Sequence, residues 1–469
     1  MSRIDFIAAG GALKRIIKKY GRKALHKHAK IEPKTKEKRS RTLEWSDLMT
    51  ASFNGDVEWA SKLLKEDVDI NRQDADGVTP LMMASRQGNA EMVAFLLGKN
   101  NSRVDLPDKK GKSALMVASK RGHLEVVSLL LERNANVNMQ SNRGKSALMM
   151  ASKYGHDEVV KLLLLRGADL NLVENEQGKS ALHMACAKGH FLVAETLVNS
   201  GADVNMRSAD GGSALMFASY QSEDSALIVK MLLSKGAQID AEDNEGNTAL
   251  TYSIVSLNHK AAQLLLDRGA KVDCRNNKGD SVLTIYRVLY DDSSSALSFD
   301  YSMLLSMITS ELAEIVLALL ERGAEVNLQN NLGHTPLIVA SMMGQREIAD
   351  HLIEHGAKIN PQDGEGKSTL IHAVKSQHDE LAAHLIELGA EINVQDKEGW
   401  FPLMLCIRAE NLDMVQLLVA YGASVHLRNS DGQTIFEICS KKFLSSPLYH
   451  ELVCTLVPHQ YQSSQKSYF

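Results

Sequence analysis

The stretch GKSALMMASKYGHDEVVKLLLLRGADLN, from Gly144 to Asn171, holds one complete structural unit. Ala147 to Lys153 predicts a short first helix, and Gly155-His156 predicts the turn that follows it. The apolar residues from Val159 to Leu164 recur at the i, i+3, i+4 spacing of a second helix. Gly167 suits the left-handed residue that closes a helix. The stretch therefore predicts a helix–turn–helix unit.

The loop glycine that opens this unit recurs along the chain at a nearly constant interval. It stands at Gly77, Gly111, Gly144, Gly178, Gly211, Gly246, Gly279, Gly333, Gly366, Gly399 and Gly432. The steps are 33 to 35 residues, except for one of 54 between Gly279 and Gly333. A period near 33 indicates one unit stacked many times, since a single unit cannot bury its apolar face alone.

The unit resembles the ankyrin repeat. The resemblance is carried by GVTPLMMAS (Gly77 to Ser85), GHTPLIVAS (Gly333 to Ser341) and GKSALHMAC (Gly178 to Cys186), and it extends over roughly residues 43 to 460. It implies an all-α ankyrin-repeat solenoid of about 12 helix-turn-helix units with short β-hairpin-like loops. The histidine that follows the leucine of the family's T-P-L-H pattern is retained only at His183. Methionines replace it elsewhere and predict packing between neighbouring repeats.

The repeat pattern also predicts the division of the chain. We expect a basic, partly disordered N-terminal segment at 1–42, a first array of repeats at 43–290 and an insertion within a repeat at 291–310. A second array with its C-terminal cap follows at 311–458, and a flexible tail at 459–469. The insertion accounts for the long step between loop glycines, and we expect a projecting loop followed by an extended helix there.

Composition and cysteine spacing predict the compartment and the solubility of the protein. The five cysteines form no C-x-x-C pair, which predicts reduced and mostly buried thiols in a cytosol-like compartment. We expect a soluble protein, because the N-terminus does not read as a signal peptide and no apolar run approaches the roughly 18 residues of a membrane span. Residues 1–42 carry 14 Lys/Arg against 3 Asp/Glu, while the rest carries 39 against 54.

Four Gly-Lys-Ser sequences, at 111–113, 144–146, 178–180 and 366–368, end like a P-loop. A P-loop also needs a glycine five residues earlier, and those positions hold Leu106, Met139, Val173 and Pro361. We therefore predict that each serine caps a helix instead of binding a nucleotide.

Other chemistry is not indicated. His123, His156 and His190 occupy the same position in three consecutive repeats. Packed helices lie too far apart for these histidines to share one zinc ion. They match the family's structural turn histidine. The cysteines lie in different repeats without a local histidine and carboxylate. The sequence thus predicts no catalytic residue, no metal site, no cofactor and no small-molecule substrate.

Ten residues are candidates for binding a partner. In the ankyrin family the concave wall is lined by the residue after the loop glycine and by two residues late in the first helix. Here the front half of these positions is basic and holds Arg86, Lys112, Lys120, Arg121, Lys145, Lys153, Tyr154, Lys179, Lys188 and Tyr220. We expect a noncatalytic scaffold or adaptor whose groove binds an acidic or phosphorylated protein segment. Plain solvation of an exposed helix face remains the alternative for these lysines.

Two further readings stay open. Residues 13–24 predict a basic amphipathic helix that could contact an anionic membrane or a partner, and the basic run at 34–41 could direct nuclear import or contact nucleic acid. The protein would then be a membrane- or nucleus-directed adaptor. The repeats also resemble modules of bacterial effectors that act on host proteins. The expected location is the cytoplasm or nucleus, and the host cytoplasm for an effector.

Overall fold

Short helices joined in consecutive pairs make up the regular structure of the chain. The computed structural model describes residues 45–66, 68–221, 225–286 and 302–438. Within these ranges the regular elements are helices, and the only β-type pairing is three isolated bridges, Arg207 with Ser213, Arg275 with Ser281, and Gln362 with Ser368. Each bridge joins the two arms of a loop, as expected for β-hairpin-like loops.

Two units divide the chain between Ala270 and Lys271. The helices of the first unit are α1 (Asp47–Asn54), α2 (Val57–Leu63), α3 (Pro80–Gln87), α4 (Ala90–Leu97), α5 (Ala114–Arg121), α6 (Leu124–Glu132), α7 (Ala147–Tyr154), α8 (Asp157–Leu165), α9 (Ala181–Cys186), α10 (Phe191–Asn199), α11 (Ala214–Ser219), α12 (Ala226–Ser234), α13 (Ala249–Val255) and α14 (His259–Asp267). A 3₁₀ turn at Leu64–Glu66 follows α2. The odd-numbered helices contact one another in one layer, and the even-numbered helices form a second layer.

The unit that begins at Lys271 repeats this plan. Its helices are α15 (Ser302–Glu321), α16 (Pro336–Met343), α17 (Arg346–Glu354), α18 (Thr369–Lys375), α19 (Asp379–Glu387), α20 (Pro402–Ala409) and α21 (Leu412–Ala420). A further helical turn lies at 435–438. The 20-residue α15 begins within the expected insertion and is the extended helix expected to follow its projecting loop. The predicted segments 1–42 and 459–469, and residues 291–301 of the insertion, lie outside the described residues.

Serine and threonine side chains start most of the first helices. The Oγ atoms of Ser113, Ser146 and Ser368 each accept a backbone N–H three residues later at 3.3 Å. Ser180 accepts from His183 N–H at 3.5 Å. These bonds satisfy N–H groups that have no partner inside the helix. The serines of all four Gly-Lys-Ser sequences are therefore helix caps, as the sequence predicts.

Buried methionines hold neighbouring repeats together. Met82, Met116, Met149, Met216 and Met404 are each at most 2% exposed. They fill the interior of the first-helix layer, so the methionine stripe is packing, as expected from the sequence. Among the described cysteines, Cys186 and Cys406 are buried and Cys274 is half-buried, and all three are free thiols.

Hydrogen bonds between successive loops set the register of the first unit. Asn142 N–H donates to Lys110 O at 3.0 Å, and Asn175 N–H donates to Arg143 O at 3.0 Å. Within a loop, Asp108 Oδ1 accepts the N–H groups of Lys110 and Lys112 at 2.9 and 2.8 Å. The loop tips are thus fixed both internally and to their neighbours.

None of the helices that the structure describes combines the length and apolar character needed to cross a membrane.

Candidate functional site

A basic pocket of about 440 Å³ lies in the first unit, where two successive loops meet α5 and α7. Its lining residues are Lys109, Lys110, Lys112, Lys120, Ser141, Asn142, Arg143, Lys145, Met150, Lys153 and Tyr154. Seven of these eleven carry a positive charge, and none carries a negative charge. We use the name basic pocket for this set of residues.

The loop register brings these side chains together. Lys110 and Lys112 lie on either side of Gly111 in the loop before α5, and the loop bonds described above fix both. Lys120 and Lys153 occupy the last turns of α5 and α7, two first-layer helices in contact. Met150 and Tyr154 are four residues apart and share one face of α7. Stacking one repeat on the next therefore brings positive charges of both repeats to one place.

Tyr154 supplies an aromatic surface among the cations. Its side chain is 43% exposed. The Nζ atoms of Lys120 and Lys153 lie 5.4 and 5.9 Å from the centre of its ring. Both are within the range of a cation–π interaction, which orders an exposed lysine without neutralising its charge. Both ammonium groups thus lie close to one aromatic ring that lines the pocket.

The environment of Lys112 combines burial with charges of both signs. Burial is the main cause that lowers the pKa of Lys112, and the neighbouring charges of Lys120 and Lys110 lower it further, while Asp108 and Tyr154 act in the opposite direction. Lys120 and Lys110 therefore repel the Lys112 ammonium group. Added negative charge would reduce this repulsion.

Two pocket cations have acidic neighbours in the next loop. Lys145 Nζ lies 3.9 Å from Glu174 Oε2, with both side chains largely buried. Arg143 Nε lies 3.1 Å from Glu176 Oε1 at the exposed surface. Within the described part of the chain, the other five pocket cations make no salt bridge, namely Lys109, Lys110, Lys112, Lys120 and Lys153. These five lysines are able to pair with an incoming anion.

The pocket contains five of the ten residues expected from the sequence, namely Lys112, Lys120, Lys145, Lys153 and Tyr154. Arg86, Arg121 and Lys188 are exposed but do not line it. Lys179 lies over the ring of Phe217, 4.2 Å from its centre. Tyr220 is only 8% exposed and packs edge-on against Tyr252, so it offers a partner little surface.

Sequence reasoning missed three of the cations, Lys109, Lys110 and Arg143. They precede the loop glycines, whereas the family pattern directs attention to the residue that follows each glycine. The sequence feature that could have identified Lys109 and Lys110 is the run Lys-Lys-Gly-Lys at 109–112, in which lysines stand on both sides of the loop glycine.

The turn histidines of the first unit act separately from one another. Nε2 of His123, His156 and His190 lies 3.2, 3.1 and 3.2 Å from the carbonyl oxygens of Arg86, Lys120 and Lys153 respectively. Because a carbonyl only accepts, each ring donates its N–H across the junction with the preceding repeat. Their role is to join repeats.

A second group of polar side chains lies in the unit that begins at Lys271, and we call it the histidine–aspartate cluster. His372 Nε2 lies 2.8 Å and His334 Nε2 lies 3.6 Å from Asp363 Oδ2. The two imidazole rings meet edge to face, with centres 5.6 Å apart. All three side chains are at most 10% exposed. The repeat pattern does not predict this cluster, and from the sequence we expected no metal site.

The loop holds the Asp363 carboxylate in one orientation. Asp363 Oδ1 accepts the N–H groups of Glu365 and Lys367 at 2.8 and 2.9 Å, which leaves Oδ2 facing the histidines. Burial by itself would raise the pKa of Asp363, but the hydrogen bonds from His372, Lys367 and Glu365 outweigh it and lower the pKa to about 2. The carboxylate is therefore ionised at neutral pH.

Comparison with protein families gives one result. The chain matches the model for ankyrin repeats (3 copies) over residues 48–141, 133–208, 203–276, 303–396 and 370–466. Comparison of the sequence with curated proteins gives no match. The family match and the helix pairs together confirm the all-α repeat fold expected from the sequence.

Proposed function

This chain belongs to the ankyrin-repeat family, whose repeats are protein–protein interaction modules, and we propose that it is a noncatalytic scaffold or adaptor that binds an acidic or phosphorylated protein segment at the basic pocket. One observation carries the proposal. Seven cationic side chains surround a single pocket whose lining includes no acidic residue. Such a concentration of one sign attracts an oppositely charged partner and increases its rate of association.

The chemistry of the lining favours an anionic segment of another protein. Lysine ammonium groups pair with carboxylate or phosphate oxygens as mobile point charges. Tyr154, whose half-exposed ring lies near two lysines, offers surface to the apolar part of a bound chain. The pocket volume of about 440 Å³ accommodates a few side chains. A short acidic stretch would fill it.

The two buried cysteines, Cys186 and Cys406, are unsuited to nucleophilic catalysis, and a noncatalytic role is general among ankyrin-repeat proteins. Burial raises the pKa of the Cys186 thiol to about 12, and burial together with Asp379 raises that of Cys406 as well. Since the thiolate is the nucleophile, both thiols are inert at neutral pH.

Binding of an anionic peptide tests the proposal. The probe is a fluorescein-labelled peptide with one phosphoserine among glutamates, and the full chain should bind it much more tightly than the same peptide with serine and glutamines. Changing Lys120 and Lys153 to Glu should weaken binding at least about tenfold, because two pairing cations become repulsive. Fluorescence anisotropy gives both affinities.

A matched control separates a local effect from net charge. Lys230 and Lys260 are exposed residues of the same unit that do not line the pocket. Their joint change to Glu alters the net charge equally and should leave the affinity within about twofold. Equal weakening by both double variants, or none by either, would contradict a binding role for the pocket.

Salt provides an independent prediction for the same complex. Raising NaCl from about 0.05 to about 0.5 M should weaken peptide binding by the unmodified chain strongly, because the Debye length falls well below the pocket dimensions. The Lys120→Glu, Lys153→Glu variant should show a much smaller salt dependence. The slope of log affinity against log salt, measured by anisotropy, distinguishes the two results.

A further inference from the structure

The histidine–aspartate cluster has the donor atoms of a metal site. His334 and His372 each offer a ring nitrogen and Asp363 offers one carboxylate oxygen, and all three atoms lie within 4.8 Å of one another. The side chains come from two successive loops and from α18, elements of a single unit. Folding thereby brings Asp363 and His372, which lie 29 and 38 positions after His334 in the sequence, next to it.

Zinc fits these donors and distances. Two imidazoles and one carboxylate form a known ligand set for Zn²⁺, with metal–ligand distances of about 2.0–2.2 Å. A tetrahedral site then places neighbouring ligand atoms about 3.3–3.5 Å apart. The separation of 3.6 Å between His334 Nε2 and Asp363 Oδ2 is close to this value. His372 Nε2, at 2.8 Å from the same oxygen, would move outward by about half an ångström on binding.

The Asp363 carboxylate is already oriented by hydrogen bonds, as a metal ligand would be. The two backbone N–H bonds to Asp363 Oδ1 fix the orientation of Oδ2, as hydrogen bonds around a metal commonly do for ligating carboxylates. The loop thus presents one oxygen of a fixed carboxylate to both histidines.

Another repeat of the same chain shows what this position looks like without a metal site. There Asp243 Oδ2 accepts the Tyr252 hydroxyl at 2.7 Å, and Asp243 and Tyr252 are nine residues apart, as Asp363 and His372 are. The residue that corresponds to His334 in that repeat is Gly212. Asn247 Nδ2 also donates to Asp243 Oδ2, at 3.3 Å. Donors from its own loop and helix therefore satisfy this aspartate, and the fold does not require a histidine at the position of His334.

We infer that His334, Asp363 and His372 bind a zinc ion, with the fourth coordination position left for water or for a group from a partner. The ion would join two successive repeats. Because a ligand that binds only the folded state stabilises it, zinc should raise the unfolding temperature of this unit.

The test is titration of the full chain, freed of metal by a chelator, with ZnCl₂ in a calorimeter. Three variants use residues that the chain itself has at the equivalent positions of other repeats, which protects the fold. They are His334→Lys, as at Lys367, His372→Tyr, as at Tyr252, and Asp363→Asn, as at Asn330. Each should bind one equivalent of zinc fewer than the unmodified chain, or bind it at least about tenfold more weakly.

The matched control is His355→Ala, which removes an exposed histidine of the same unit and should bind zinc like the unmodified chain. Co²⁺ in place of zinc should give the visible absorption of a tetrahedral site in the unmodified chain and lose it in His372→Tyr. Circular dichroism checks the fold of each variant. Unchanged zinc stoichiometry, affinity and unfolding temperature in the three folded variants would overturn the inference.

Discussion

Replacing Gly111 by alanine should lower the free energy of unfolding by about 3–5 kcal/mol, whereas the same replacement at Gly167 should lower it by only about 1–2 kcal/mol. Both glycines have a left-handed backbone, with φ of 72° at Gly111 and 82° at Gly167. Both variants share the strain of a Cβ atom in that conformation. The difference between them arises from what surrounds the added carbon.

At Gly111 the new Cβ would lie 2.6 Å from the backbone nitrogen of Asn142, and it would also overlap Asn142 Oδ1. Asn142 makes two bonds to the same loop, from its N–H to Lys110 O and from Nδ2 to Lys109 O, each at 3.0 Å. The loops would have to separate and lose these bonds, at about 1 kcal/mol each. At Gly167 no atom lies within 4 Å of the added carbon.

Urea unfolding followed by circular dichroism measures both changes. Equal losses at the two positions would show that the close approach between loops contributes nothing. The prediction also bears on the basic pocket, because Lys110 and Lys112 flank Gly111 and Asn142 lines the pocket. The Gly111→Ala variant should therefore bind the phosphopeptide more weakly even where it remains folded, and Gly167→Ala should not.

Acid should destabilise the first unit through His183, by up to about 3 kcal/mol. This side chain is fully buried. Its Nδ1 accepts Ser180 N–H at 3.2 Å, and Nε2 lies 2.9 Å from Met206 O, so the bonds require the neutral ring. Burial lowers the pKa of His183 to about 4, with the bond to Met206 and the charge of Asp210 opposing this and Lys179 assisting it.

The direction in which stability changes with pH follows from this lowered pKa of His183. Between pH 6.5 and pH 4 the unfolded chain binds a proton at His183 that the folded chain does not. Stability is therefore constant above about pH 6.5 as far as this residue is concerned, falls as the pH drops towards 4, and falls no further below it.

The variant His183→Met isolates this contribution, because methionine holds the same position at Met116, Met149 and Met216. We expect the unmodified chain to lose about 2–3 kcal/mol more than the variant between pH 7 and pH 4, measured by urea unfolding at each pH. Parallel pH profiles of the two proteins would refute the role of His183. Burial also lowers the pKa of His190, but His190 is present in both proteins, so its contribution cancels in the comparison.

Much of the fold could be predicted from the sequence because its determinants are local. The period of 33 fixes the unit, and the caps at Ser113, Ser146 and Ser368 occur where serine precedes an apolar run. Asn134, which stands where other repeats have the helix-closing glycine, has the left-handed φ of 58° that this position requires. None of these features depends on residues far away in the chain.

The candidate site was only half predictable. Lys120 and Lys153 could be placed on the binding face from the repeat pattern, and both line the basic pocket. Tyr220 follows the same pattern but lies buried beside Tyr252, because a bulky neighbour in the next repeat covers it. A column of equivalent positions does not reveal which of its members the adjacent repeat leaves exposed.

The sequence by itself determined the repeat, its helices, their caps and the sign of charge on one face, since each depends on spacing within about one period. Only the tertiary structure decided which side chains of different repeats meet. It brought Lys110, Lys120 and Lys153 around one pocket and His334, Asp363 and His372 around one point. The physical reason is that contacts between repeats depend on the register in which loops and helices stack, and this register is set by inter-loop bonds such as that between Asn142 and Lys110.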